Sequence, residues 1–294
     1  MVKKVSILTL VTMIMLSVST ITTDVQANIG HTQLTDLEIN SLEDKAQTKL
    51  ENDFENKIPS KVQYTITEAP RPINEMIEEN PIGEETAIKR TLDPTMPMIA
   101  ITYDDGPTKY TPEILNVLKE NNSVATFFVL GTQVYNNEEV LNQMLEDGNQ
   151  IGNHSYNHKK LTTISDEELY KQIIGTDDLI YIATGYTPSV MRPPYGTTSE
   201  ELNKKITKPI IKWSIDTRDW ENRNSEIIVN SILENAKDGD IILMHDMYDS
   251  TVEASKVIIP ELINRGFQLV TIDELFEHKE VTVTAGEQYY KAYK

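Results

Sequence analysis

Short apolar runs alternate with longer amphipathic segments along the chain from about residue 96 onward. The apolar runs predict strands at 98–102, 124–129, 209–215, 240–244 and 267–271, and shorter extended segments near 150–151 and 189–191. The amphipathic segments predict helices that begin at residue 111 and cover 139–145, 165–182, 226–236, 251–264 and 272–276. Strands that alternate with helices are typical of parallel sheets with crossover helices. We therefore expect an α/β domain in this part of the chain.

Two helix starts carry local signals. Thr111 followed by proline predicts an N-cap and a first-turn proline. Ser165, with Glu168 three positions later, matches the capping-box pattern.

The chain before residue 96 has a different character. A positively charged start precedes an apolar run at 5–21, and Ala27 offers a small residue at which a leader can be cleaved. We expect residues 1–27 to be a signal peptide. An uncleaved membrane anchor is the alternative, because the run is nearly long enough to span a bilayer. Residues 28–95 are read as an acidic, mostly helical or irregular extension that acts as a spacer, with a small docking module as the alternative.

Composition removes some classes of function. The formal net charge is -19, and a nucleic-acid-binding surface needs an excess of lysine and arginine, so we expect no nucleic-acid partner. Contact with a membrane is expected only if the leader is retained. The chain has no cysteine, so stability must come from the core and from any bound metal rather than from disulfides.

Aspartates and histidines follow two of the predicted strands. Asp104 and Asp105 come directly after one strand, and His154 and His158 follow the extended segment near 150–151. Histidines four residues apart share one face if the chain makes a helical turn, and an aspartate added to them completes a metal-binding set with open positions for water and substrate. Adjacent strand residues point to opposite sides, so one aspartate can bind metal while the other acts on a water molecule. Taken alone, the Asp-Asp-Gly-Pro run is an ordinary turn.

Later segments add candidate groups for the same chemistry. Arg192 can hold a carboxylate ionised, and Tyr195 can supply a backbone N–H to an oxyanion hole. Asp219 followed by Trp220 offers a carboxylate and an aromatic wall. A carboxylate such as Asp219 would raise the pKa of His245 and keep it protonated, as a general acid must be. Each of these residues also has an ordinary structural interpretation, but the constellation as a whole favours metal-assisted hydrolysis.

Taken in order, five segments resemble the five motifs of the polysaccharide deacetylases, the NodB-homology domain of carbohydrate esterase family four. The segments are Thr-Tyr-Asp-Asp-Gly-Pro at 102–107, His-Ser-x-x-His at 154–158, Arg-Pro-Pro-Tyr-Gly at 192–196, Asp-x-x-Asp-Trp at 216–220 and Ile-x-Leu-x-His at 241–245. The first motif departs from the family, which more often has phenylalanine at the position of Tyr103. The resemblance runs from about residue 96 to 276, so we place the domain at 96–277 and a C-terminal tail at 278–294.

The resemblance implies a distorted (β/α)7 barrel and a metal-dependent site. It implies that Asp104 is the general base and that Asp105, His154 and His158 bind a divalent metal. Zinc is the expected ion, with cobalt, manganese and nickel as alternatives. Arg192 is expected to orient Asp104.

The resemblance also assigns the acid and the substrate contacts. His245 is expected to be the general acid, and Asp219 to tune it. Tyr195 is expected to supply the oxyanion-stabilising N–H, while Trp220 and Leu243 line the groove for the acetyl methyl group.

The function that follows is removal of N-acetyl groups from the amino sugars of a cell-wall polysaccharide, with release of acetate. Peptidoglycan is the expected substrate, at N-acetylglucosamine or N-acetylmuramic acid. Deacetylation of chitin oligosaccharides and esterase activity on acetyl xylan are the alternatives within the same chemistry. A catalytically inactive, carbohydrate-binding envelope protein is the alternative from another class. The leader predicts a secreted or envelope-associated location, and the sequence makes no prediction of oligomeric state.

Overall fold

The computed structural model describes residues 91–292, so the leader and most of the acidic extension predicted before residue 96 lie outside the described residues. The strands are β1 (Met98–Asp104), β2 (Thr126–Val129), β3 (Gln150–Asn153), β4 (Ile210–Ile211), β5 (Ile215–Asp216), β6 (Ile241–His245), β7 (Gln268–Leu269) and β8 (Gln288–Tyr289). The helices are α1 (Thr111–Glu120), α2 (Gly131–Val134), α3 (Glu138–Glu146), α4 (Asp166–Thr184), α5 (Glu200–Lys205), α6 (Asp219–Asn222), α7 (Ser225–Leu233), α8 (Asp249–Asn264) and α9 (Ile272–His278). Across residues 91–292, every helix is too short or too polar to pass through a bilayer.

Parallel strands joined by helices form the centre of the fold, which confirms the α/β class. The main sheet has the order β3-β2-β1-β6-β5, and β7 also pairs with β1. Met191 forms parallel bridges to Asn153 at the end of β3 and to Ile210 in β4, and so connects this sheet to the β4–β8 pair. Within residues 91–292 the hydrogen-bonded strands do not close, so the distorted barrel is an open one.

The strand predicted at 209–215 is in fact two short strands with different partners. β4 pairs with β8, whereas β5 pairs with β6. Between them, the backbone N–H of Ser214 donates to the carbonyl of Ile241 at 2.9 Å. β8 lies within residues 278–294, which the sequence predicts to be a C-terminal tail without a strand. The predicted strand is divided in two because the partner of β4 is β8, which comes from a distant part of the chain.

Alternation along β1 decides which of its residues reach the site. Ile99, Ile101 and Tyr103 belong to the larger hydrophobic cluster, which they share with residues of α1, α3, α7 and α8. Met98 and Ala100 lie on the opposite face, in a second cluster. Because side chains alternate with a period of two, Asp104 continues this second face at the carboxyl end of the strand.

β6 repeats the pattern of β1 and pairs with it along its whole length. Ile242 and Met244 pack in the larger cluster, and Ile241 packs in the second one. His245 therefore lies on the same face as Ile241, directly opposite Asp104 in the parallel register.

The two helix-start predictions have different outcomes. Ser165 is the N-cap of α4, as predicted, and accepts a hydrogen bond from the backbone N–H of Glu168, but the Glu168 carboxylate accepts from Lys159 and Gln172 instead of completing the capping box. Thr111 is not the N-cap of α1, because Tyr110 holds that position. The Thr111 hydroxyl instead accepts from the backbone N–H of Thr108 at 2.7 Å, within the loop that follows β1.

Candidate active site

Asp105, His154 and His158 converge at the carboxyl ends of β1 and β3. Oδ1 of Asp105 lies 3.5 Å from Nε2 of His154 and 3.5 Å from Nε2 of His158. Among residues 91–292 this buried oxygen has no hydrogen-bond partner, and an unpaired buried carboxylate oxygen is costly unless a cation balances it. Ligands bound to zinc at about 2.0–2.2 Å in a tetrahedron lie roughly 3.3–3.6 Å apart. The three residues therefore fit a divalent metal.

The two histidines do not lie on a helical turn, so that part of the prediction is wrong. Residues 154–158 form an irregular loop in which Ser155 has a φ of 73° and His158 a φ of 60°. The side chain of Asn153 accepts from the backbone N–H of Ser155 at 2.7 Å, and the Ser155 hydroxyl accepts from that of His158 at 3.2 Å. Left-handed backbone, rather than helix, brings the imidazoles of His154 and His158 together.

The adjacent aspartates also behave differently from the prediction that they point to opposite sides. Asp105 has a φ of 78°, which is not extended backbone. Its carboxylate approaches His154, and Oδ2 of Asp104 lies 3.6 Å from the same Nε2 atom of His154. Both carboxylates therefore face one point, because the chain turns sharply at Asp105.

His154 is held as a neutral imidazole. Its Nδ1 lies 2.7 Å from the carbonyl oxygen of Arg192, and because a carbonyl can only accept, Nδ1 carries the proton. Burial, set against the raising effect of the Asp105 charge, lowers the pKa of His154 to about 3. Nε2 is thus left unprotonated and faces Asp105, as metal ligation requires.

Arg192 is fully buried behind Asp104. Its Nη1 donates to Oδ1 of Asp104 at 2.7 Å and to Oγ1 of Thr102 at 2.7 Å. Its Nε and Nη2 donate to the carbonyls of Ile211 and Lys212 at 3.1 and 2.9 Å. Burial raises the pKa of Asp104, and the positive charge of Arg192 opposes that rise. Asp104 is therefore a fixed carboxylate whose pKa is raised, as suits a general base.

Asp219 fixes His245 through both oxygens of its carboxylate. Oδ1 accepts from Nδ1 of His245 at 2.7 Å and from the backbone N–H of Trp220 at 2.9 Å. Oδ2 accepts from the backbone N–H of His245 at 2.7 Å and from the hydroxyl of Thr251 at 2.7 Å. Burial favours neutral His245, but the hydrogen bond and charge of Asp219, helped by more distant carboxylates, outweigh it and raise the pKa of His245 to about 9. His245 is therefore a protonated group at neutral pH.

The predicted substrate-contact residues lie beside these groups. Tyr195 has a φ of 58°, and its ring, 68% exposed, meets the ring of His158 edge-on at 4.5 Å. Trp220 follows Asp219 and is 46% exposed. Leu243 is buried on β6, two residues before His245 and on the same face.

The structure also shows contacts that sequence reasoning missed. Thr251, Thr102 and Lys212 hold Asp219 and Arg192 through the hydrogen bonds given above. Thr251 is separated from Asp219 by 32 residues of sequence, so no local pattern could identify it. Thr102 lies inside the first motif, but only its contact with Arg192 reveals what it does.

Sequence comparison identifies a family for this arrangement. The sequence model for polysaccharide deacetylases matches residues 91–209. The peptidoglycan-N-acetylglucosamine deacetylase PgdA of Listeria monocytogenes is 43% identical over 193 residues, which cover 65% of this chain and 41% of that protein. The peptidoglycan-N-acetylmuramic acid deacetylase PdaC of Bacillus subtilis is 41% identical over 210 residues, which cover 70% of this chain and 45% of that protein. The chain thus spans less than half the length of these two relatives.

A solved structure of peptidoglycan deacetylase PdaC from Bacillus subtilis has a TM-score of 0.63 and 43% identity, and the match covers 64% of this chain and 94% of that one. The chain belongs to the polysaccharide deacetylase family, as its five motifs predict. Members of this family are metal-dependent hydrolases. Among residues 91–292, Asp105, His154 and His158 each offer one ligand atom that fits such a metal, and these three atoms lie within 4.8 Å of one another.

Proposed function

We propose that this protein is a metal-dependent N-deacetylase that acts on the amino sugars of peptidoglycan and releases acetate. The observation that carries the proposal is the arrangement around the unpaired oxygen of Asp105. The imidazole Nε2 atoms of His154 and His158 face that oxygen, a carboxylate fixed by Arg192 stands beside it, and a protonated His245 completes the site.

Asp105, His154 and His158 would hold the metal, and zinc suits two imidazole nitrogens and one carboxylate. When bound, a divalent ion polarises the acetamide carbonyl and lowers the pKa of a nearby water molecule. Three protein ligands would leave coordination positions for water and substrate, as in catalytic rather than structural sites.

Asp104 accepts the proton of the attacking water. Its Oδ1 is engaged by Arg192, while Oδ2 faces the centre of the site, 3.6 Å from Nε2 of His154. Oδ2 is therefore the atom that takes the proton. Burial raises the pKa of Asp104, which strengthens it as a base.

His245 donates a proton to the departing amine. Asp219 holds Nδ1, so Nε2 is the atom free to deliver the proton. The N–H of Tyr195 stabilises the oxyanion that forms when water attacks the acetyl carbon. Trp220 and Leu243 form the apolar side of the site, where the acetyl methyl group is bound.

Peptidoglycan is favoured because the similar proteins of Listeria and Bacillus carry that substrate in their names, over matches of 41–43% identity. The predicted leader agrees with this substrate, since peptidoglycan lies outside the cytoplasm. We therefore propose a secreted or envelope-associated location.

Acetate release from peptidoglycan, chitin oligosaccharides and acetylated xylan tests the proposal with the zinc-loaded protein. We expect turnover of peptidoglycan and a loss of about 10²- to 10⁴-fold in the Asp104→Asn and His245→Ala variants, with the zinc content unchanged. Asp166→Asn and His278→Ala are the matched controls: Asp166 is on the surface of α4, His278 is the last residue of α9, and neither is assigned to the site.

Each contrary result has a distinct meaning. Full turnover by the Asp104→Asn variant would show that Asp104 is not the general base. Acetate release from acetylated xylan alone would show that peptidoglycan is not the substrate. A zinc-loaded protein with no activity on any of the three would support an inactive carbohydrate-binding protein.

A further inference from the structure

Lys212 has no anionic partner among residues 91–292. It directly follows β4 and is only 8% exposed, and its Nζ donates to the carbonyl oxygen of Gly196. No carboxylate of residues 91–292 forms an ion pair with it, although the chain contains 46 acidic residues. Burial and the nearby positive charge of Arg192 both lower the pKa of Lys212. A buried ammonium in this position is costly, and an anion would relieve that cost.

Two aromatic rings lie near the ammonium group of Lys212. Nζ of Lys212 lies 5.4 Å from the ring of Trp213 and 5.7 Å from the ring of Tyr290. Tyr290 is 48% exposed. It comes from the C-terminal segment, directly after β8, which lies outside the five motifs.

Lys212 and Tyr290 are connected to the active site through the loop that carries Tyr195. Gly196, which accepts the hydrogen bond from Lys212, follows Tyr195, whose ring contacts His158. Oε1 of Gln288 accepts from the hydroxyl of Thr198 at 3.1 Å and from the hydroxyl of Tyr290 at 3.3 Å. The C-terminal segment is thus tied to the same loop that carries Tyr195.

We propose that Lys212, Tyr195 and Tyr290 form a subsite for a sugar that carries a carboxylate, next to the sugar that loses its acetyl group. The inference rests on the proposed function and narrows its substrate. Exposed aromatic faces stack on sugar rings, and the ammonium has two N–H groups left after Gly196 to donate to a carboxylate.

Peptidoglycan supplies such a carboxylate, whereas chitin does not. Every second sugar of peptidoglycan bears a lactyl ether, which ends in a free carboxylate or continues into a stem peptide that ends in one. Both sources present the same chemical group to Lys212.

The test compares oligosaccharides of equal length with and without a carboxylate. The substrates are a stem-free peptidoglycan oligosaccharide, the same molecule with its lactyl carboxylate converted to a primary amide, and a neutral chitin oligosaccharide of equal length. We expect the wild-type protein to have a kcat/KM about 10- to 100-fold higher for the acid than for the amide, and this preference to fall with added salt. A stem-bearing pair, with free or amidated stem carboxylates, distinguishes the two sources, and a preference for either free acid supports the subsite.

Variants separate recognition of charge from support of the loop. Lys212→Met is expected to abolish the preference for the acid, and Lys212→Arg to retain it. Tyr290→Ala is expected to lower kcat/KM on both peptidoglycan oligosaccharides. Lys204→Met removes an exposed ammonium on α5 and is the matched control, which should keep the preference.

Two outcomes would overturn the subsite. One is an equal kcat/KM of the wild-type protein for acid and amide at low salt. The other is a loss in Lys212→Met by the same factor on all substrates, because a residue that only supports the Gly196 loop cannot distinguish their charge. Acetate release from the amidated peptidoglycan oligosaccharide shows whether the proposed deacetylase function itself holds, whatever the subsite does.

Discussion

Replacing Asp219 with asparagine tests the origin of the proton that His245 donates. Asparagine keeps the shape of the side chain and removes its negative charge. Because its amide nitrogen cannot accept, one of the two backbone N–H groups that donate to Asp219 loses its acceptor. Burial alone lowers the pKa of a histidine, and the pKa of His245 is about 9 instead of 6.5 because the hydrogen bond and charge of Asp219 outweigh burial. Without that charge, we expect the pKa of His245 to fall to 6.5 or below.

The size of this change follows from the same values. A fall from about 9 to 6.5 is at least 2 pH units, and roughly 3 kcal/mol at about 1.36 kcal/mol per unit. The alkaline limb of the kcat/KM profile reports the group that must be protonated. We expect this limb to move down by about 2 pH units in Asp219→Asn, while the acidic limb stays in place.

The assay is acetate release by the zinc-loaded protein between about pH 5 and pH 10. Thr251→Val is the matched control, because it removes a hydrogen bond to Asp219 but no charge, and its alkaline limb should stay within about half a unit. An alkaline limb that is identical in wild type and Asp219→Asn would show that His245 is not the acid, or that Asp219 does not control it.

Stability should follow the same linkage. Because the pKa of His245 is higher in the folded state, the stabilisation by its interaction with Asp219 is complete below about pH 6.5 and is lost as the pH rises to about 9. The difference in unfolding free energy between wild type and Asp219→Asn should therefore be larger at pH 6.5 than at pH 9, measured by urea denaturation. An equal difference at both pH values would contradict the linkage.

Three further changes test other contacts. Asp105→Ala should abolish zinc binding. Zinc at about 100 times the wild-type Kd stabilises the wild-type protein by about 2.7 kcal/mol, and it should leave the Tm of the variant unchanged. A normal zinc-induced rise in the Tm of the variant would refute the assignment of Asp105 as a ligand. Arg192→Met should cost about 3–5 kcal/mol in urea denaturation, because it leaves Asp104 buried without its positive partner; a cost below about 1 kcal/mol would show that the pair does not support the fold. Gly106→Ala should destabilise by about 1–3 kcal/mol, because the new methyl group would meet the buried carboxylate of Asp246. Gly175→Ala, where no atom lies within 4 Å of the added carbon, should not destabilise.

Local pattern was sufficient for the class of fold, and it selected residues that the structure brings together at the carboxyl ends of the strands. The alternation of apolar runs and amphipathic segments predicts parallel strands with crossover helices, because burial on both faces of a strand and on one face of a helix leaves distinct periods in the sequence. Residue types at strand ends predict the chemistry, because metals and proton transfer need carboxylates and imidazoles whatever their surroundings.

Tertiary structure decided how those residues meet. The histidine pair uses left-handed backbone rather than a helical turn, and Asp105 turns so that both aspartates face His154. Neither conformation can be derived from the spacing of the residues. In the histidine loop, the side chains of Asn153 and Ser155 accept hydrogen bonds from the backbone N–H groups of Ser155 and His158.

The environment of each charge likewise exists only in the folded protein. The pKa of His245 depends on Asp219, which is 26 residues away in sequence. Lys212 likewise meets Tyr290 only because the C-terminal segment packs beside β4. The sequence determines which groups are present. Folding determines their burial and their neighbours, and these two quantities set the protonation and the partners of every charge in the site.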